Sequence, residues 1–299
     1  MDFTKMHGLG NDFIMVDDRR DEIDPAAAPS LARALCPRGS GVGADGLVFL
    51  KNSRQGDFAM RIFNRDGSEA EMCGNAIRCL AKYLYEEGLT RSHALYIETL
   101  EDVKHLRLKV EGGTVTLVEV DMGEPVLEPS LIPVAVKGER AVGEEVTAGG
   151  KTYRFTAVSV GNPHCVIFGR DDPAGEAERA GPLLERHPLF PRRTNVEFVQ
   201  ILSREEIKVW VFERGVGLTL ACGTGACAAA VAAALNGCTG RRVTVHLPGG
   251  PLRIFWSEDN RIFMSGPAAF VYKGFIPSEW LEKNILGGAE FDSTGGTDK

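Results

Sequence analysis

Short runs of β-branched and aromatic residues, Phe13-Ile14-Met15-Val16, Leu47-Val48-Phe49-Leu50 and Leu106 through Val110, predict strands separated by glycine-rich turns. A different period follows Cys73. Ile77, Leu80, Ala81 and Leu84 fall at i, i+3, i+4 and i+7, which predicts an amphipathic helix with Gly88 as its stop. A second helix, from Gly223 to Leu235 and ended by Gly237, is alanine-rich and uncharged on every face. A helix with no polar face must be enclosed by other structure, so strands wrapped around a central helix are expected. Between Arg214 and Arg241 no charged residue occurs, which raises the question of a membrane span. Residues 222–230 carry little of the Leu, Ile and Phe that favour insertion, and a buried core helix is the prediction.

The hydrophobic pattern repeats. The two Cys-Gly pairs, Cys73-Gly74 and Cys222-Gly223, lie 222 − 73 = 149 residues apart. The same shift sets Phe58, Met60, Ile62 and Phe63 against Ile207, Val209, Val211 and Phe212, and Asn64-Arg65 against Glu213-Arg214. Gly10-Asn11 falls opposite Gly161-Asn162 at 151, and Asp45 through Phe49 opposite Asn195 through Val199 at 150. Ordered blocks at nearly constant spacing predict two duplicated domains. The expected division is 1–122, completed by 268–282, and 123–267. The break falls in the Pro-, Gly- and Glu-rich segment from Gly123 to Gly150, and 283–299 is a flexible tail.

Composition narrows the class. In 299 residues, 43% are hydrophobic and 25% charged, as in an ordinary globular protein. Lys plus Arg against Asp plus Glu gives 34 − 41 = −7, which leaves no electrostatic footprint for nucleic acid. Seven cysteines are too sparse for a disulfide scaffold, and the start Met1-Asp2-Phe3-Thr4-Lys5 is not a secretory signal. Free thiols in the cytoplasm are expected, with no membrane and no nucleic-acid partner.

Two apparent motifs fail on context. Gly41-Val42-Gly43-Ala44-Asp45-Gly46 spells a dinucleotide fingerprint, but a strand follows it where a helix is required. Gly150-Lys151-Thr152 resembles the end of a phosphate loop, yet Glu145 stands where its first glycine belongs. The spacings Cys73/Cys79 and Cys222/Cys227 do not suit a zinc site, so Cys79 and Cys227 are expected in the core. No metal and no cofactor is expected.

Cys73 and Cys222 remain as candidates for chemistry. Each sits where a loop hands over to a helix, beside free backbone N–H groups that lower a thiol pKa and can hold an anion. Gly74 and Gly223 keep that approach clear. Two matched thiols imply one site between domains, with a sulfur on each side of whatever is bound. That arrangement suits inversion at a carbon acid: a thiolate removes the α-proton from one face and a thiol delivers a proton to the other. Glu213 and His164 are candidates to hold the thiols in the right protonation state.

Several motifs carry a resemblance. Lys5 through Phe13, Phe63 through Ser68, Met72 through Cys79, Gly161-Asn162-Pro163-His164, Arg193 through Phe198, and Glu213-Arg214-Gly215 through Ala221-Cys222-Gly223-Thr224-Gly225 resemble the motif set of the diaminopimelate epimerase family. The resemblance covers residues 1 to about 282. It implies a pyridoxal-independent isomerase interconverting LL- and meso-2,6-diaminopimelate, in the route to lysine and peptidoglycan. The implied fold is α+β, two pseudo-symmetric domains, each an antiparallel-type, barrel-like sheet around a central helix. Cys73 and Cys222 would be the two bases, supported by His164 and Glu213 respectively. Asn11, Asn64, Asn75, Asn162, Asn195, Glu213 and Arg214, with Gly74, Gly223 and Thr224, would bind the amino-acid substrate. Some members carry a glutamine after the aspartate in the block containing Asp45; here Gly46 stands there, so that contact is missing or replaced. A homodimer is expected. The rival readings are a proline or hydroxyproline racemase of the same superfamily and a thiol redox sensor.

Overall fold

The computed structural model describes residues 1–169 and 172–286. Strands β1 (Asp2–Gly8) and β2 (Asn11–Asp17) form a hairpin, and helix α1 (Ala28–Leu35) crosses to β3 (Gly46–Lys51). Strands β4 (Phe58–Asn64) and β5 (Glu69–Ala70) lead into α2 (Gly74–Glu86), after which β6 (Ala94–Glu98), β7 (Val103–Glu111) and β8 (Thr114–Gly123) run as a meander. After β9 (Val142–Ala148) the order recurs. It runs β10 (Lys151–Ser159), β11 (Pro163–Phe168), α3 (Pro173–Glu185), β12 (Asn195–Ile201), β13 (Glu206–Glu213), β14 (Gly217–Thr219) and α4 (Gly223–Leu235). Strands β15 (Arg242–Leu247), β16 (Gly250–Trp256) and β17 (Ile262–Gly266) complete the repeat, and β18 (Ala269–Phe275) and α5 (Ser278–Leu281) follow.

Backbone hydrogen bonds join these strands in the order β18-β1-β2-β3-β4-β6-β7-β8-β17-β16-β15-β13-β12-β11-β10-β9, with β5 on β4 and β14 on β13. The sheet is mixed rather than purely antiparallel. Pairs β2–β3, β4–β6, β11–β12 and β13–β15 are parallel, and each encloses one of the helices α1 to α4. A parallel pair needs a crossover, and the helices supply it. Strand β18 follows the second repeat in sequence but pairs with β1 of the first, while β8 and β17 knit the two repeats edge to edge.

Helix α2 lies inside the first repeat against β1, β2, β4, β7 and β8, and α4 lies inside the second against β10 to β13 and β15 to β17. Both are ended by glycines with left-handed backbones, Gly88 at φ +73° and Gly237 at φ +68°, where a side chain would be strained. The uncharged α4 is buried along nearly its whole length, and Cys79 and Cys227 are core residues. Helices α1 and α3 were not foreseen. Both pack on the outer face of the sheet, α1 through Leu31, Ala32 and Leu35 and α3 through Ala177, Ala180 and Leu184. Pro29 and Pro182 lie within them and obscure the helical period. No helix among the described residues is long and apolar enough to cross a membrane.

Sheet register corrects one block of the repeat. Gly46 pairs with Phe13 and Asn64, as Asn195 pairs with His164, so Gly46 corresponds to Asn195 at an offset of 195 − 46 = 149, not 150. One residue decides which face a side chain takes. Val48 and Glu197 therefore point inward at matching places, while Leu47 and Val196 point outward toward α1 and α3. Residues 283–286, assigned to a tail by sequence, continue α5 as a π-helical turn with Ile285 against the outer core. The remainder of that expected tail, 287–299, lies outside the described residues.

Candidate active site

The two helices meet at their starts. A Cβ added to Gly74 would come within 3.9 Å of the Gly223 Cα, and within 2.7 Å of Met264 Cε from β17. A Cβ on Gly223 would lie 3.1 Å from Met264 Sδ. The helix starts thus come into van der Waals range of each other, and the room a side chain at Gly74 would need is taken by the end of Met264. Cys73 and Cys222 are the capping residues of α2 and α4, with extended backbones at φ −141° and −122°, so each sulfur stands beside unpaired N–H groups at the positive end of a helix.

The thiols differ from expectation in their acidity. Burial pushes the Cys73 thiol above its ordinary value, outweighing the pull of the Ala76 and Asn75 N–H groups. Burial pushes Cys222 well above it, and the charge of Glu213 adds to the effect. Desolvation of a thiolate exceeds what a few amide dipoles return. A raised thiol is, once deprotonated, a stronger base toward a weakly acidic carbon.

Around Cys73, Asn11 Oδ1 lies 3.8 Å from Sγ and accepts a hydrogen bond from Asn75 Nδ2 at 3.0 Å. Asn11 is itself held by Asp45, to whose Oδ2 its Nδ2 donates at 2.8 Å. Asn75 also donates to the Ala221 carbonyl at 3.2 Å, so it reaches across to the residue before Cys222. Thr224 Oγ1 lies 3.5 Å from Cys222 Sγ. Glu213, at the end of β13, accepts from Thr219 Oγ1 at 2.5 Å; its carboxyl is raised chiefly by burial, against the pull of the nearby Thr219 hydroxyl and Cys222 thiol.

His164 is fully buried, and both its ring nitrogens are engaged away from the thiols. Nδ1 meets Glu197 Oε1 at 2.7 Å and Nε2 meets Asn162 Oδ1 at 2.8 Å. Glu197 was not foreseen as a site residue. It is completely buried, its Oε2 has no hydrogen-bond partner among the described residues, and a Cβ on Gly225 would lie 2.9 Å from its Oε1, which places it against the first turn of α4. Burial raises its carboxyl against the opposing pull of His164. A glutamate inside an otherwise apolar strand, Val196-Glu197-Phe198-Val199, was the signal that could have found it.

Asn195 is buried and fully used by backbone, donating to the Pro163 carbonyl at 2.9 Å and accepting from the Arg214 N–H at 2.9 Å. Arg214 and Asn64 are exposed; Asn64 donates to Ser68 Oγ at 2.9 Å and Arg214 to the Arg192 carbonyl at 3.2 Å. At Gly46 a Cβ would meet the Phe63 carbonyl oxygen at 3.1 Å and the Phe13 ring at 3.4 Å, so the ring fills the room a longer side chain would need. Among the described residues, no three His, Cys, Asp or Glu side chains gather as a metal cluster.

Known proteins resemble the chain in sequence and in fold. A family model described as diaminopimelate epimerase fits residues 3–128 and 156–271. The chain is 59% identical to the diaminopimelate epimerase of Pelotomaculum thermopropionicum, over 93% of this chain and 99% of that one. It is 53% identical to that of Desulfitobacterium hafniense, over 94% and 100%. Among solved structures, a hydroxyproline epimerase from Agrobacterium vitis shares the fold at a TM-score of 0.67 and 14% identity, over 92% and 90% of the two chains. A PhzF-family phenazine biosynthesis protein from Bacillus anthracis does so at 0.69 and 16%, over 93% and 99%. With paired thiols at abutting helix starts and relatives of this identity over nearly its whole described length, the chain belongs to the diaminopimelate epimerase family.

Proposed function

We infer that the protein interconverts LL- and meso-2,6-diaminopimelate, with Cys73 and Cys222 as the two acid/base groups. The observation that carries this reading is the contact of Gly74 with Gly223, which aims the positive ends of two helices at one place with a thiol at each. An α-carboxylate bound there would leave its α-carbon between the sulfurs. One thiolate takes the α-proton, the negative charge spreads into the carboxylate, and the amides at the two helix starts stabilise it. The other thiol then delivers its proton to the opposite face. Glu213, whose carboxyl and the Cys222 thiol act on each other, serves as the local proton acceptor on that side.

Binding of the open-chain substrate is assigned to Asn11, Asn64, Asn75, Asn162, Asn195, Glu213 and Arg214, with Gly74, Gly223 and Thr224. Asn11 and Asn75 are supported by their links to the thiol environment, and Asn195 acts by fixing the Arg214 backbone. His164 would act on the site through Glu197 and Asn162 rather than by touching Cys73. The same reading divides the chain into 1–122 with 268–282, and 123–267, supported by the pairing of β18 with β1. It places the enzyme in the cytoplasm as a homodimer, which is supported by the free cysteines and by exposed Val271, Tyr272 and Phe275 on the edge strand β18.

Incubation with single stereoisomers of diaminopimelate, proline and histidine in D₂O tests the assignment. Inversion and α-deuteration of diaminopimelate alone are expected. Turnover of proline in preference to it, or of no chiral amino acid, would sink the reading.

A further inference from the structure

Arg78 is completely buried, and among the described residues its hydrogen-bond partners include no carboxylate. Its guanidinium folds back along α2 toward the helix start. Nη1 donates to the Gly74 carbonyl at 2.9 Å, Nη2 to Asn75 Oδ1 at 2.8 Å, and Nε to the Pro267 carbonyl at 3.3 Å. A slot is built for it. A Cβ on Gly8 would come within 3.1 Å of Nη2, one on Gly266 within 3.1 Å of Nε, and Met264 Sδ closes the side at 3.9 Å.

A buried cation that is solvated only by neutral oxygens calls for a nearby anion. Here the need is greater, because the positive ends of α2 and α4 already meet at the same place. The groups that its charge reaches are the thiols Cys73, Cys79 and Cys227. Cys79 and Cys227 are core residues, which leaves Cys73. Facing Cys73 are Asn11 from β2, the Asn75 and Ala76 amides of α2, and the Glu213 carboxyl from β13, with Asp45 behind Asn11. Facing Cys222 are Thr224 and two carboxyl groups, Glu213 and Glu197. The position in α4 equivalent to Arg78 is 78 + 149 = 227, a cysteine, so the cation stands on one side of the site alone.

Arg78 also fixes a side chain whose hydrogen bonds reach both thiol environments. It holds Asn75 by its oxygen, which commits the Asn75 amide nitrogen to Asn11 Oδ1 on the Cys73 side and to the Ala221 carbonyl on the Cys222 side. We propose that Arg78 is a positioning residue of the epimerase: through Asn75 it keeps the two thiols in register, and its charge biases the resting pair toward thiolate at Cys73 and thiol at Cys222. This rests on the two-thiol reading above.

The test is alkylation of the full-length protein with pulses of iodoacetamide across pH, each cysteine being read by peptide mapping. Cys73 is expected to react at lower pH than Cys222. Arg78→Met should move the Cys73 profile upward by about one unit, about tenfold in rate below the midpoint, and leave the Cys222 profile in place. A folded Arg78→Met protein with the Cys73 profile unmoved, or with both profiles moving together, overturns the proposal. Should Arg78→Met not fold, Arg78→Lys keeps a charge and loses the fork to Asn75. It is expected to lower kcat by about tenfold or more with KM within about twofold, since alignment and not binding is lost. Wild-type kcat in Arg78→Lys overturns the proposal. Failure of the two-thiol reading itself would show separately, as retained turnover in Cys73→Ala.

Discussion

Helices α2 and α4 start alike and diverge within a turn. Both are 13 residues long, both are capped by a cysteine, and both begin with a glycine packed on Met264. Around α2 the matching inward positions are Phe13, Val48 and Asn64; around α4 they are His164, Glu197 and Glu213. The first repeat puts its buried charge on the helix itself, as Arg78, while the second puts carboxyl groups on the surrounding strands. In the proposed mechanism, a duplicated frame supplies two proton carriers on opposite sides of one carbon. Divergence around that frame gives each carrier a different field, which a site acting on one centre of an asymmetrically held substrate requires.

The largest expected effect comes from what the halves share. Cys73→Ala and Cys222→Ala should each lower kcat/KM by about 10³-fold or more with the fold intact by circular dichroism, since each removes the only carrier for one face. A loss confined to one of the two variants would break the symmetry of roles. Next comes Glu197→Val, which gives the second half the residue that the first has at Val48. It leaves His164 buried without its carboxylate and should cost about 3–5 kcal/mol in urea unfolding. A cost below about 1 kcal/mol would show that the pair is not what holds β11 to β12 at the site.

Glu213→Gln sharpens the electrostatic contrast. Burial raises the Glu213 carboxyl, so above its ordinary value of 4.5 the folded protein binds more protons than the unfolded chain, and stability falls as pH climbs through the raised pKa. The variant should flatten that part of the Tm-against-pH curve and gain most at the higher pH; an unchanged slope contradicts the burial argument. The smallest effects are expected for Cys79→Ala and Cys227→Ala, about 1 kcal/mol each with turnover kept, because they trim core contacts only.

Much of this contrast was legible in the residues. Cys-Gly pairs 149 apart located both helix starts, and the helical period of Ile77, Leu80, Ala81 and Leu84 marked α2. What escaped depended on register and burial. A one-residue error in aligning β3 with β12 hid the equivalence of Val48 and Glu197, because an odd shift exchanges the faces of a strand. The direction of the thiol shifts escaped too, since helix dipoles are readable from a capping position and desolvation is not. Arg78 read as one letter of a motif; only packing shows that no carboxylate among the described residues meets it.

Location of the solvent label in early turnover tests the central claim, that one thiol stands on each face of the α-carbon, most directly. With LL-2,6-diaminopimelate in D₂O at low conversion, the account predicts deuterium at the inverted centre of the meso product and almost none in recovered substrate. The proton arrives from a different group than the one that took the first. A product that keeps the substrate's own α-hydrogen would mean that a single base serves both faces, and would contradict the account.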